Sequence, residues 1–161
     1  MRRLLLLVGA IVFVDTMFYA ALTPLLPGYA EDLDLSKAGA GLLSAAYPLG
    51  ALVGGVPGGI CAARVGVRPT LLVGLGVMAV TTVTFGFADS IYVLDAARFV
   101  QGVASTFTWT AALAWLVAAA PPERRGETIG AAMGAAIFGA LFGPVVGGVA
   151  RLPGQRVGQR V

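Results

Sequence analysis

Apolar residues run along this chain in long blocks, and polar residues gather in short intervals between them. The first block extends from Leu4 to about Leu26, directly after Met1-Arg2-Arg3. The others cover about residues 38–62, 70–88, 91–119 and 128–150. Each is longer than the ~18 residues that mark a candidate membrane-spanning helix. The dividers are Glu31-Asp32-Leu33-Asp34, Arg64-Val65-Gly66-Val67-Arg68, Ala88-Asp89-Ser90, and the stretch from Pro121 to Glu127. Pro121 and Pro122 end the fourth helix, because proline lacks an amide hydrogen and clashes with the preceding turn. The pattern predicts an all-α integral membrane protein of about five transmembrane helices. Residues 1–150 form the bundle, and 151–161 make an atypical polar tail.

Composition supports this reading and excludes others. Of 161 residues, 58% are hydrophobic and 12% charged, with a mean hydropathy of +0.88. A soluble domain carries roughly 25% charged residues, so this chain has too few to cover a globule. Its 23 glycines suit apolar helices whose backbones approach closely in lipid. A single cysteine excludes a disulfide scaffold. The absence of histidine removes the commonest general base and zinc ligand. No nucleophile–base pair or metal-ligand cluster is visible, so an enzyme is not expected, and neither is a cofactor. The first block has the positive flank of a signal peptide, but Asp15 interrupts it and no persuasive cleavage site follows.

Charge placement sets an orientation. Arg2 and Arg3, Arg64 and Arg68, then Arg124 and Arg125 alternate with the segments that hold Glu31, Asp32, Asp34 and Asp89. The positive-inside rule puts the basic set and the N-terminus in the cytoplasm. The net charge of +3 follows from this alternation, and no nucleic-acid partner is expected. Lys37 departs from the pattern, and so does the tail: Arg151, Arg156 and Arg160 fall on the side that five spans make external. It also carries a tandem repeat, Gly154-Gln155-Arg156-Val157 followed by Gly158-Gln159-Arg160-Val161.

Three features carry chemistry. Asp15 lies midway along the first helix, where an ionisable group costs ~2.5–3.5 kcal/mol and so faces a cavity or a partner. It is a proton carrier, an internal hydrogen-bonding post, or the mark of a helix with a shallow break near Thr16. The fourth helix bears Asp95, Arg98, Gln101, Ser105 and Thr108, spaced to share one face turned away from lipid. Arg98 is then a fixed charge beside a cavity, or half of a self-neutralising pair with Asp95. In the fifth helix Gly139, Gly143 and Gly147 form a small-residue seam beside Pro144. The second helix echoes it with Gly50, Gly54, Gly55, Pro57, Gly58 and Gly59, which suggests an internal three-plus-three repeat. Tyr47, Phe107, Trp109 and Trp115 either stack on an aromatic substrate or pack within the bundle. Cys61 is expected to be inert.

These residues resemble the major facilitator superfamily, and within it the drug:proton antiporter branch. Asp15 followed by Pro24-Leu25-Leu26-Pro27 resembles that branch's first-helix signature. Gly59-Ile60-Cys61-Ala62-Ala63-Arg64-Val65-Gly66-Val67-Arg68-Pro69 is similar to the loop between the family's second and third helices. Arg98-Phe99-Val100-Gln101-Gly102 is similar to the R-x-x-Q-G signature of its fourth helix. Gly139 to Gly148 resembles the antiporter motif G-x-x-x-G-P-x-x-G-G at every fixed position. The family's loop has an acid where this chain has Ala63 and a second base where it has Val67. The acid helps to latch the two halves in the outward-facing state, so that latch is not expected in its usual form.

The resemblance implies an incomplete N-terminal half of the superfamily's fold, belonging to an exporter of amphipathic organic compounds driven by inward proton flow. It makes Asp15 a proton or substrate-charge site, with Arg98 tuning it and Gln101 orienting the network. Gly59, Arg64, Gly66 and Arg68 belong to a cytoplasmic gate. Gly139, Gly143, Pro144, Gly147 and Gly148 shape a bend that limits proton leak, while Ser105, Thr108 and Trp109 line the cavity. The expected partners are the lipid bilayer, protons, a small organic substrate and a C-terminal six-helix half. The expected location is the plasma membrane. Because such transporters rock two six-helix halves about a midplane site, the chain is not expected to transport alone. The other reading from the sequence is a self-contained membrane subunit with an assembly role.

Overall fold

The computed structural model describes residues 2–21, 24, 28, 31, 34–88 and 90–154. Within them are five helices long and apolar enough to cross a membrane, and no strand. They are α1 (Arg2–Ala21), α2 (Lys37–Arg64), α3 (Val67–Gly86), α4 (Ile91–Ala119) and α5 (Arg125–Gly154). A 3₁₀ turn, Pro122–Arg124, precedes α5. The protein is therefore an all-α membrane protein. Leu25, Leu26, Pro27, Asp89 and residues 155–161, which include Arg156, Arg160 and most of the tandem repeat, lie outside the described residues.

Local chemistry sets where the helices begin and end. Ser36 caps α2: its Oγ accepts from the Gly39 amide at 3.1 Å, satisfying one of the orphan donors of a helix start. Between α2 and α3 the chain turns on Val65 and Gly66 alone, with Gly66 at φ 106° and ψ 157°. That backbone region is open essentially to glycine only. Helix α3 starts at Val67, earlier than the expected Thr70, since Pro69 is tolerated in a first turn. Helix α5 starts three residues before Thr128 and runs on past Ala150, where Arg and Leu are good helix formers.

The helices group into two compact units, residues 1–29 with 120–161 and residues 30–119. In the first, α1 packs along α5. A Cβ at Gly143 would come within 2.6 Å of the Met17 carbonyl oxygen, and one at Gly139 or Gly147 would collide with the carbonyl of Phe13 or Ala21. The absence of side chains there lets the two backbones touch, which is how helices gain dispersion energy in lipid. Phe13 and Phe142 close the pair at its side, with ring centroids 6.1 Å apart.

In the second unit, α4 packs against both α2 and α3. The buried face of α2 is Leu43, Ala46, Gly50, Gly54, Gly58 and Ala62, a helical stripe dominated by small residues. Gly50 meets the Phe99 carbonyl, Gly54 lies under Val103, and Gly58 lies under Phe107. Gly102 of α4 meets Tyr47 and Ala51 in return. Opposite faces carry exposed Leu52, Val56, Leu72, Val80, Leu141 and Val145, as expected of surfaces solvated by lipid rather than water. The two glycine seams thus have partners in different units: α2 lies on α4, and α5 lies on α1.

Candidate functional site

Helix α4 is apolar in composition, yet its most buried face is polar. Arg98, Gln101, Ser105 and Thr108 are all buried, and Asp95 is half-buried at the start of the stripe. Arg98 is 5% exposed and stays protonated at any ordinary pH. A charge in such surroundings persists only where neighbours replace its hydration. Three side chains of this unit build that environment. Arg98 Nη1 donates to Gln101 Oε1 at 3.2 Å, one turn further along α4. The guanidinium lies over the ring of Tyr47 on α2, 5.0 Å from its centroid, where the π face attracts a cation. Gln101 Nε2 in turn donates to Thr82 Oγ1 on α3 at 3.2 Å. One chain of contacts therefore joins α2, α4 and α3 through a single fixed charge.

Asp95 is not the partner of Arg98 that its spacing allows. Among the described residues it makes no ion pair, and its buried Oδ1 accepts no hydrogen bond. The self-neutralising pair is therefore not formed, and the positive charge of Arg98 is not cancelled from within its own helix turn.

The remaining candidates occupy several places. Asp15 belongs to the α1–α5 unit and is 4% exposed, in line with buried Val8 and Val12. Thr108 donates to the Ala104 carbonyl at 3.1 Å and sits against Gly74 of α3. Trp109 is half-buried. In the seam of α5, Gly139, Gly143 and Gly147 face α1, Pro144 is exposed, and a Cβ at Gly148 would meet nothing within 4 Å.

At the α2–α3 turn, Gly59 and Arg64 are exposed and Gly66 has the positive φ already noted. The guanidinium of Arg68 lies over the ring of Trp115 on α4, 5.2 Å from its centroid. Thr70 ties the turn together, donating to the Gly66 carbonyl at 2.8 Å and approaching Cys61 Sγ at 3.4 Å. Thr82 and Thr70 are neighbours of the candidate residues that the sequence did not single out. The signal for Thr82 was the polar Thr81-Thr82 doublet inside an otherwise apolar span. Nothing along the chain says which of the two faces α4.

Residues 8–151 match the family model described as Major Facilitator Superfamily. Among curated relatives, an MFS-type transporter ppzB from Metarhizium rileyi is 32% identical over 123 residues, which cover 73% of this chain and 26% of the relative. A probable vesicular acetylcholine transporter-B from Danio rerio is 35% identical over 124 residues, 71% of this chain and 25% of the relative. The human vesicular acetylcholine transporter is 34% identical over 112 residues, 69% and 20% of the two chains. The chain thus spans about a quarter of the length of the first two curated relatives. With a family match along nearly its whole length, five apolar helices and a buried arginine–glutamine pair on α4, the chain belongs to the Major Facilitator Superfamily.

Proposed function

We propose that this chain forms the first five helices of the N-terminal half of a proton-coupled antiporter that exports small amphipathic organic compounds. The observation that carries the reading is the buried guanidinium of Arg98, held by Gln101 and Tyr47 on a polar face of an apolar helix. A permanent positive charge in low dielectric favours the ionised form of a carboxyl that comes near it and attracts anionic groups. In this reading Asp15, a buried acid of the α1–α5 unit, is the proton carrier. In the proposed cycle it carries a proton in one direction and yields its place to the charge of the substrate in the other. The relatives named as acetylcholine transporters widen the substrate class to small organic cations.

The alternation of arginine pairs with acidic segments supports a cytoplasmic N-terminus in a cell membrane. The gate residues Arg64 and Arg68 then lie on the cytoplasmic side, beside Gly66. Substrate access from alternate sides needs a second half, so the proposed partner is a C-terminal six-helix bundle.

Co-expression tests this. Cells that make the chain together with the sixth helix and the C-terminal half of a relative should export an amphipathic cationic dye, and cells that make the chain alone should not. Export by the chain alone would refute its assignment as part of one half. Unchanged export after Asp15→Asn would remove Asp15 from the mechanism.

A further inference from the structure

Glutamine has two faces: an oxygen that only accepts hydrogen bonds and an NH₂ that only donates them. Arginine has donors alone. Beside Arg98, therefore, Gln101 is useful in one orientation and repulsive in the other. The orientation present turns Oε1 to the guanidinium at 3.2 Å. Nε2 then points away from Arg98 into a buried region and needs an acceptor. The Thr82 hydroxyl oxygen is that acceptor, also at 3.2 Å, from another helix. The neighbouring threonines of α3 behave differently. Thr81 donates to the Val77 carbonyl at 2.8 Å and Thr84 to the Val80 carbonyl at 3.0 Å, one turn back along their own helix.

We propose that Thr82 is a positioning residue for Arg98, acting through Gln101: Arg98 selects the end of the amide that faces it, and Thr82 holds that amide in place from α3. Its value to transport rests on the reading above, whereas the geometry and its test do not. Without the acceptor at 82, Nε2 loses its partner on α3 and the amide is held from the Arg98 side alone. The amide then moves about its place beside the guanidinium, and Arg98 loses a fixed partner.

The sequence supplies a clean spectroscopic handle. The chain has glutamine only at 101, 155 and 159 and no asparagine, so side-chain NH₂ signals are few and Gln101 can be assigned by Gln101→Ala. The full chain, ¹⁵N-labelled in nanodiscs, should show a Gln101 NH₂ that exchanges with solvent far more slowly than free glutamine. Thr82→Val should speed that exchange by about tenfold, as expected from losing one hydrogen bond. It should also shift the Arg98 Nε–H signal, assigned by Arg98→Lys. Thr82→Ser keeps the oxygen and should restore both signals. Exchange in the unaltered chain as fast as in free glutamine would overturn the proposal, whether or not the variants fold. So would a Thr82→Ser chain that behaves like Thr82→Val, or an Arg98 signal that stays put once Gln101 is released. No transported compound enters the measurement, so its failure is separate from failure of the transport reading.

Discussion

Arg68 in the first turn of α3 stands over the ring of Trp115 near the end of α4, 5.2 Å from guanidinium carbon to ring centroid. This contact fastens the exposed turn between α2 and α3 to the helix that carries the buried arginine. The superfamily's loop has an acid where this chain has Ala63, and here an aromatic face is what meets the arginine. Because Arg68 is exposed, the attraction is worth about 0.5–1 kcal/mol. A double-mutant cycle of Arg68→Gln and Trp115→Leu, read by unfolding in mixed micelles, should return a coupling of that size. Purely additive effects would show that the two side chains meet without energetic consequence.

The turn itself makes a sharper prediction. Gly66 sits at φ 106°, and Gly59 has open space where a side chain would go. Gly66→Ala should lower stability by about 1–3 kcal/mol, the usual cost of holding a side chain in a glycine-only region. Gly59→Ala should leave stability the same or slightly higher, since alanine is the better helix former. Equal effects in the two variants would mean that the strain at Gly66 is relieved elsewhere.

The seam of α5 divides the glycine-rich stretch Gly139 to Gly148 in two. Gly143 lies against the backbone of α1, and Gly148 faces open space. Gly143→Val should separate α1 from α5 and reduce stability by more than 2 kcal/mol, in the range of overpacked cores (about 1–3 kcal/mol, at times more). Gly148→Ala should change it by less than about 0.5 kcal/mol, as substitutions away from contacts do. Disulfide trapping between cysteines placed at Phe13 and Phe142, whose rings are neighbours, would report the separation directly.

Asp95 offers a test of what neutralises Arg98. It forms no ion pair among the described residues. Asp95→Asn should therefore move stability by less than about 1 kcal/mol, where breaking a buried ion pair costs about 3–5 kcal/mol. A loss in the larger range would show that Asp95 and Arg98 act as a pair after all.

Much of this architecture is legible along the chain, for a physical reason. In lipid every backbone group must be satisfied within its own helix, so length and apolarity alone reveal the spans. The polar face of α4 is equally readable, because residues 98, 101, 105 and 108 recur at helical spacing and all four are buried. Periodicity does not say which side chains meet across helices. It left Asp95 and Arg98 as a candidate pair, whereas the contacts of Arg98 in its unit include Gln101 and, on α2, Tyr47. It could not separate Thr82 from Thr81, adjacent in sequence but with different partners. Nor could a glycine-rich stretch show that Gly58 touches α4 and Gly59 does not.

The central claim is that this chain supplies the proton-handling half of an antiporter, and substrate-driven proton movement tests it most directly. The chain would be reconstituted with the sixth helix and C-terminal half of a relative in liposomes that are acidic inside, with internal pH followed by a trapped dye. Adding an amphipathic organic cation outside should release protons from the lumen, and Asp15→Asn should abolish the release while leaving assembly intact. Proton release that is unaffected by Asp15→Asn, or substrate uptake with no change in internal pH, would contradict the account.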